Sequence, residues 1–313
     1  MNAKTIYDLL KQTFEQWSED KVPRLGAALA FYSVFAIAPL LMIVTSIAGL
    51  AFGRSAAQHH IVGQIATVMG QEAGRTIEKI LEDASKPASG MISVVTGMIV
   101  LLFGASGVFA QLQDALNTIW EVAPKPDRGW KGILRDRFLS LTMVLGVGFL
   151  LLISLVVSAA ISALTSYVGD TTGEAVGHAI NLVVSVAVIT VLFAMIYKVL
   201  PDVKIAWRDV WLGAAATSML FVVGKLVVSL YLGRSSVVSA YGAASSLVLI
   251  LLWVYYSSQI LLLGAEFTQV YANRFGTHIQ PARGAVLLTK EDRAQQGIPT
   301  DTSIEQKRPV GST

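Results

Sequence analysis

Six apolar runs, each long enough to cross a bilayer, constrain this chain more than any other feature. They cover residues 25–52, 91–112, 138–164, 177–200, 210–232 and 243–271. About 20 apolar residues in a helix span the hydrocarbon core. Lipid offers the backbone no hydrogen-bond partner, so runs of this kind read as helices. The expected fold is all-α: a polytopic membrane bundle of six transmembrane helices. Composition agrees. The chain is 54% hydrophobic and only 14% charged, where about 25% charged is usual in soluble domains. The first run is too long for the apolar stretch of about 7–15 residues in a cleavable signal. It is expected to stay in the membrane.

An even number of spans puts both termini on one side. Lys and Arg choose the side. Lys4, Lys11, Lys21 and Arg24 precede span one; Lys125, Arg128, Lys131, Arg135 and Arg137 join spans two and three. Lys198, Lys204 and Arg208 flank the next connection on that side, and further basic residues lie in the tail. The opposite side holds far fewer: Arg54, Arg75, Lys79 and Lys86 in the first connection and Arg234 in the last. Both termini are therefore expected in the cytoplasm. The organisation is an amphipathic arm over 1–24, a membrane domain over 25–271 and a tail over 272–313. The tail is poor in aromatics and is expected to be largely disordered.

Two stretches outside the spans are amphipathic at helical spacing. In the arm, Ile6, Leu9, Leu10, Phe14 and Trp17 recur together, with Lys4, Lys11, Glu15 and Glu19 on other faces. This helix lies on the inner leaflet or packs under the bundle. Between spans one and two, Ile61, Ile65, Val68, Met69, Ala73, Ile77, Ile80 and Leu81 make a stripe. It predicts an external amphipathic helix that caps the bundle or meets a partner.

Chemistry is sparse. The chain has no cysteine, which removes disulfides, thiolate metal sites and a cysteine nucleophile. No phosphate-binding glycine loop or nucleophile elbow occurs. The histidines His59, His60, His178 and His278 do not show metal-ligand spacing. The reading is a non-enzyme without cofactor, metal site or nucleic-acid partner.

The candidate residues lie within or beside the spans. Pro39 removes a backbone hydrogen bond and kinks span one; Tyr32 and Ser33 before it could share a cavity lined by the freed backbone. A plain packing kink is the simpler account. Lys225 stands at roughly 22 Å of a ~30 Å core. A cation there costs at least about 2.5 kcal/mol on insertion scales. It contacts an anion such as a lipid phosphate, or it snorkels outward beside Tyr231 and Arg234. Gln259 is deep in span six and needs a partner. At the cytoplasmic margin stand Glu266, Asp114, Asn117, Glu121, Arg135, Asp136, Arg137, Arg208 and Asp209. Opposite charges at one depth suggest a gate or a structural clasp. Trp120, Trp130, Trp207, Trp211, Tyr231 and Tyr241 form the expected interfacial belt.

Several motifs then converge. Span one carries Gly26, Phe31-Tyr32-Ser33 and Pro39; span two leaves through Asn117-Thr118-Ile119-Trp120. Later come Tyr197-Lys198-Val199-Leu200-Pro201-Asp202, Trp207-Arg208-Asp209 with Gly213, and Tyr241-Gly242. Span six holds Leu252-Trp253-Val254-Tyr255-Tyr256 and Gly264-Ala265-Glu266. From about Lys21 to Tyr271 this pattern resembles the YihY/BrkB family of bacterial inner-membrane proteins. The resemblance implies a multi-pass protein of the bacterial inner membrane. The family carries a virulence-factor label tied to serum resistance, and some members are linked to export of lipid A-type molecules. Some carry a ribonuclease name, which no residue constellation here supports. Two functions follow as expectations. One is a transporter or flippase-like protein for a lipid or lipid-linked anion in envelope biogenesis. The other is a non-transporting scaffold for envelope assembly. The expected partners are membrane lipids, with a second copy or an envelope protein left open.

Overall fold

The computed structural model describes residues 2–69, 71–85, 107–125, 146, 171–234, 245–277 and 279–295. Span three, apart from Gly146, and most of span two lie outside them, as do Arg135, Asp136, Arg137 and residues 296–313. The described chain is mostly helical. Helix α1 runs Ala3–Glu19 and α2 runs Val22–Phe52. Helices α3 (Arg54–Met69) and α4 (Gln71–Ser85) follow. Then come α5 over 107–119, α6 (Thr171–Val199), α7 (Trp207–Arg234) and α8 (Ser245–Phe275). The short α9 spans Lys290–Gln295. Among the described residues two segments are long and apolar enough to cross a membrane: Leu182–Val199 in α6 and Leu247–Phe275 in α8.

Helix α8 is the hub, packing on α1, α2 and α7, while α6 packs on the other side of α7. Small residues allow the close approaches. A side chain at Gly213 would strike Thr268, and one at Gly264 would strike Thr217 and the Tyr197 hydroxyl. Gly26 of α2 is likewise pressed by the Gln259 amide. The main core gathers Leu25, Leu116, Ile119, Trp120, Phe193, Tyr197, Val210 and Leu262. Trp120 is buried here rather than in the interfacial belt, and its Nε1 donates to the Ala265 carbonyl at 3.3 Å. Burying a large apolar side chain is worth about 1.5–3 kcal/mol. Trp207 and Trp211 are exposed.

The structure departs from the sequence expectation in three places. The connection after span one holds two helices, not one. Gly74 of α4 lies against Ala66 of α3, so the pair folds into a hairpin. Ile77 and Leu81 of α4 bury against Ile37 and Leu41 of α2 and Ile250 of α8. The fold is also not purely helical. Strand β1 (Val122–Pro124) pairs antiparallel with β4 (Ala285–Leu287), and β2 (Val203–Lys204) with β3 (Gln280–Pro281). Finally, residues 279–295 of the tail are ordered, because those two ribbons tie them to the connections after α5 and α6. The Ala282 amide also donates to the Asp202 carbonyl at 2.9 Å, and the Leu288 amide to the Glu121 carbonyl at 2.8 Å.

Candidate functional site

Chain geometry brings three carboxyls and a guanidinium together at the end of the bundle that carries α1 and α9. Helix α1 stops where Lys21 takes a left-handed conformation, φ 52°, before Pro23 opens α2. Asp20 is thereby turned inward and is almost wholly buried. Helix α5 ends at a second left-handed residue, Glu121, φ 55°. Among the described residues these are the non-glycine positions with positive φ. Both border the cluster, and such backbone costs of order 1–3 kcal/mol at each position. Helix α9 starts with a reciprocal cap: the Asp292 amide donates to Thr289 Oγ1, and the Thr289 amide to Asp292 Oδ2. That turn aims Arg293 back into the bundle. Its Nη2 donates to Asp20 Oδ1 at 2.7 Å, and its Nη1 lies 2.8 Å from Glu121 Oε1.

Glu266 of α8 completes the group. It is 0% exposed. As a carboxylate, neither of its oxygens finds a donor. Its carboxyl nevertheless lies within hydrogen-bond reach of Asp20. Two ionised carboxylates repel; one proton between them makes the contact a hydrogen bond. Burial pushes Asp20 up to about 6, with Arg293 opposing the rise and Glu121 adding to it.

The other expected clasp residues sort into separate contacts. Asn117 exchanges hydrogen bonds with the turn after α6: the Asp202 amide donates to Asn117 Oδ1 at 2.8 Å, and Asn117 Nδ2 to Asp202 Oδ2 at 3.3 Å. Asp209 at the start of α7 accepts from the Thr277 amide and hydroxyl, both at 3.2 Å. Asp114 and Arg208 are exposed. Glu266 thus neighbours Asp20, while Arg293 and Glu121 act on it through their charge alone. Asp20 and Arg293 come from the arm and tail, which the sequence reading set apart from the membrane domain.

A second polar feature lies on the α7–α8 seam. Lys225 is half-buried and has no ion-pair or hydrogen-bond partner among the described residues. Gly224 beside it is pressed by the Tyr256 hydroxyl of α8. Met219, Val223 and Val227 form an exposed apolar stripe along the same helix. Gln259, one turn beyond Tyr256, packs on Gly26, and its amide is buried without a partner. Tyr32 and Ser33 stand on α2, Tyr32 exposed and Ser33 half-buried; the Tyr32 ring lies near Gly107. Helix α2 continues through Pro39.

Comparison with known proteins places this architecture. The family model described as "Virulence factor BrkB" matches residues 13–286. An UPF0761 membrane protein of Pseudomonas aeruginosa is 28% identical over 250 residues, covering 79% of this chain and 58% of that protein. The chain thus spans less than two thirds of that relative. A namesake from Tolumonas auensis is 26% identical over 80% of each chain. One from Alteromonas mediterranea is 26% identical over 88% of this chain and 93% of its own. No solved structure matches. With the match running through nearly every described element, including the buried Glu266 and the strands that fix the tail, the chain belongs to the BrkB virulence-factor family of membrane proteins.

Proposed function

We propose that this protein is a six-span protein of the bacterial inner membrane, with both termini cytoplasmic, that moves a lipid or lipid-linked anion along the α7–α8 seam. One observation carries the reading. Lys225, a half-buried cation without a protein counter-charge among the described residues, borders an exposed apolar stripe and adjoins the Tyr256 hydroxyl. An anionic headgroup would find a charge and a hydroxyl donor there, while its chains lie on Met219, Val223 and Val227. Gln259 supplies a further amide one turn away. Tyr32 and Ser33 stand apart on α2, with the Tyr32 ring toward Gly107 of α5.

Helix α1 suits a chain seated at an inner leaflet. Leu9 and Thr13 face the bundle, whereas Ile6, Tyr7, Leu10 and Phe14 are exposed. Lys4 and Lys11 flank that stripe, as in interfacial helices. A non-transporting scaffold is the second reading. The terminal end, where α1 packs on α8 and Arg293 of α9 closes on Asp20, favours it.

The test is lipid movement in proteoliposomes, with fluorescent anionic and neutral lipids side by side. Lys225→Ala is expected to slow anionic lipid by about tenfold, since a hydrogen bond to a charged group is worth about 1.5–3 kcal/mol. Lys225→Arg should retain most of the rate. Absence of movement for every lipid, in folded wild-type protein, would favour the scaffold.

A further inference from the structure

We propose that Asp20 and Glu266 form a carboxyl pair that binds one exchangeable proton, and that a second proton, on Asp20, releases the Arg293 latch of α9. Three features carry this. Glu266 is fully buried, and both its oxygens lack a donor unless a proton is present. Arg293 sits on the Asp20 side of the pair at 2.7 Å. Glu121 holds the other guanidinium nitrogen. One cation thus faces three carboxyls.

Ionising all three would leave two buried or half-buried charges unbalanced, against a large desolvation penalty. The guanidinium favours charge on Asp20, its immediate neighbour. Glu266, the carboxyl without a cation in contact, keeps the shared proton and donates it to Asp20. The two groups titrate as a pair rather than singly.

The second step balances simply. Hydronium gives its proton to the Asp20 carboxylate and leaves as water. Asp20 becomes neutral, and its charge-assisted bond to Arg293 weakens to an ordinary one. Arg293 stays cationic and keeps only Glu121, which is 46% exposed. Since α9 has six residues and Arg293 is its inward anchor, its attachment loosens. Asp20 rests near 6, so this happens under mildly acidic conditions.

The charged groups around Asp20 are few. Glu266 faces it from α8, Arg293 from α9 and Glu121 from the end of α5. On its own stretch, Glu19, Lys21 and Arg24 hold contacts of their own. Arg274 of α8 is directed to Asp8 of α1 at 4.0 Å. Glu291 and Asp292 lie on the exposed side of α9.

The experiment uses the full chain in lipid nanodiscs, with infrared spectroscopy and amide hydrogen exchange across a pH series. At neutral pH the wild type should show the carbonyl stretch of a protonated carboxyl, and Glu266→Gln should lose it. On acidification a second carboxyl should protonate in the wild type and not in Asp20→Asn. Exchange over residues 289–295 should rise on acidification in the wild type. In Asp20→Asn and Arg293→Gln it should be high at every pH. A wild type without a protonated carboxyl at neutral pH overturns the shared proton, whether or not the variants fold. A tail whose exchange does not respond to pH overturns the latch. Neither readout involves a transported substrate.

Discussion

Asp20 and Arg293 are the residues whose replacement should be felt most, and for opposite electrostatic reasons. Arg293→Gln removes the cation from two carboxylates, one of them deeply buried. Breaking a buried pair in this way costs about 3–5 kcal/mol, because a charge is left uncompensated. Glu121 is half-exposed and water screens its share, so the low end applies. Thermal unfolding in mild detergent should report the loss, with Arg293→Lys recovering only part of it for want of the planar fork. Asp20 carries a distinct pH signature. Its folded value, about 6, lies above the ordinary 3.8. The folded chain therefore binds this proton more tightly than the unfolded chain. That stabilisation is complete below about pH 4 and fades as pH rises through about 6, amounting to about 3 kcal/mol at most. Stability measured from pH 4 to pH 7 by denaturant titration should fall more steeply for the wild type than for Asp20→Asn. Equal slopes would remove Asp20 as the group responsible.

Among the elements, the α7–α8 crossing rests on small residues whose spacing can be read in the sequence, although the spacing does not name the partner helix. Gly213 and Thr217 stand four apart on α7, the spacing of close membrane packing. They meet Thr268 and Gly264 of α8 as that spacing implies. Gly264→Ala places a methyl into the Thr217 and Tyr197 hydroxyls, which are themselves bonded to each other at 3.1 Å. It should destabilise by about 1–3 kcal/mol, the usual range for overpacking. Thr217→Ala in the same chain should return part of that, in a double-mutant cycle of unfolding free energies. Gly26→Ala meets only the flexible Gln259 amide and should cost less. The α3–α4 hairpin was less legible, since the apolar spacing continues through the break and periodicity alone reads it as one helix. The order of α9 had a local sign in Thr289-Lys290-Glu291-Asp292, the pattern of a reciprocal cap. Composition outweighed it, because what orders that segment is its pairing with distant strands. Residues of 2 or 3 per strand give no alternation to read.

At the scale of the molecule, the arm and tail are parts of the membrane domain's terminal end. Helix α1 packs on α8, β4 pairs with β1, and Arg293 closes over Asp20. This was not visible in the sequence because its contacts join residues far apart in the chain, 273 positions for Asp20 and Arg293. The contacts make α1 and α9 neighbours, an arrangement that an even number of spans would allow. Charge in the connections carries an expectation for the side, with the termini toward the cytoplasm and α3 and α4 outward, and labelling tests it. The absence of cysteine lets single substitutions report this directly. Lys4→Cys and Glu291→Cys, both at exposed positions, should resist a membrane-impermeant maleimide in intact cells and react after permeabilisation. Gln71→Cys at the exposed start of α4 should react in intact spheroplasts. The same pattern bears on the proton pair. If Lys4 and Glu291 are cytoplasmic, the Asp20–Glu266 carboxyls sense cytoplasmic pH, whereas Lys225, beside the glycine that Tyr256 presses, lies about 15 Å of helix rise along α8 from Glu266. Protonation at one end and an anion contact toward the other would then be joined through α8, which carries Glu266 and Tyr256 on a single rigid element. Labelling of Lys4→Cys from outside would reverse the orientation, and with it the compartment whose pH the latch reads.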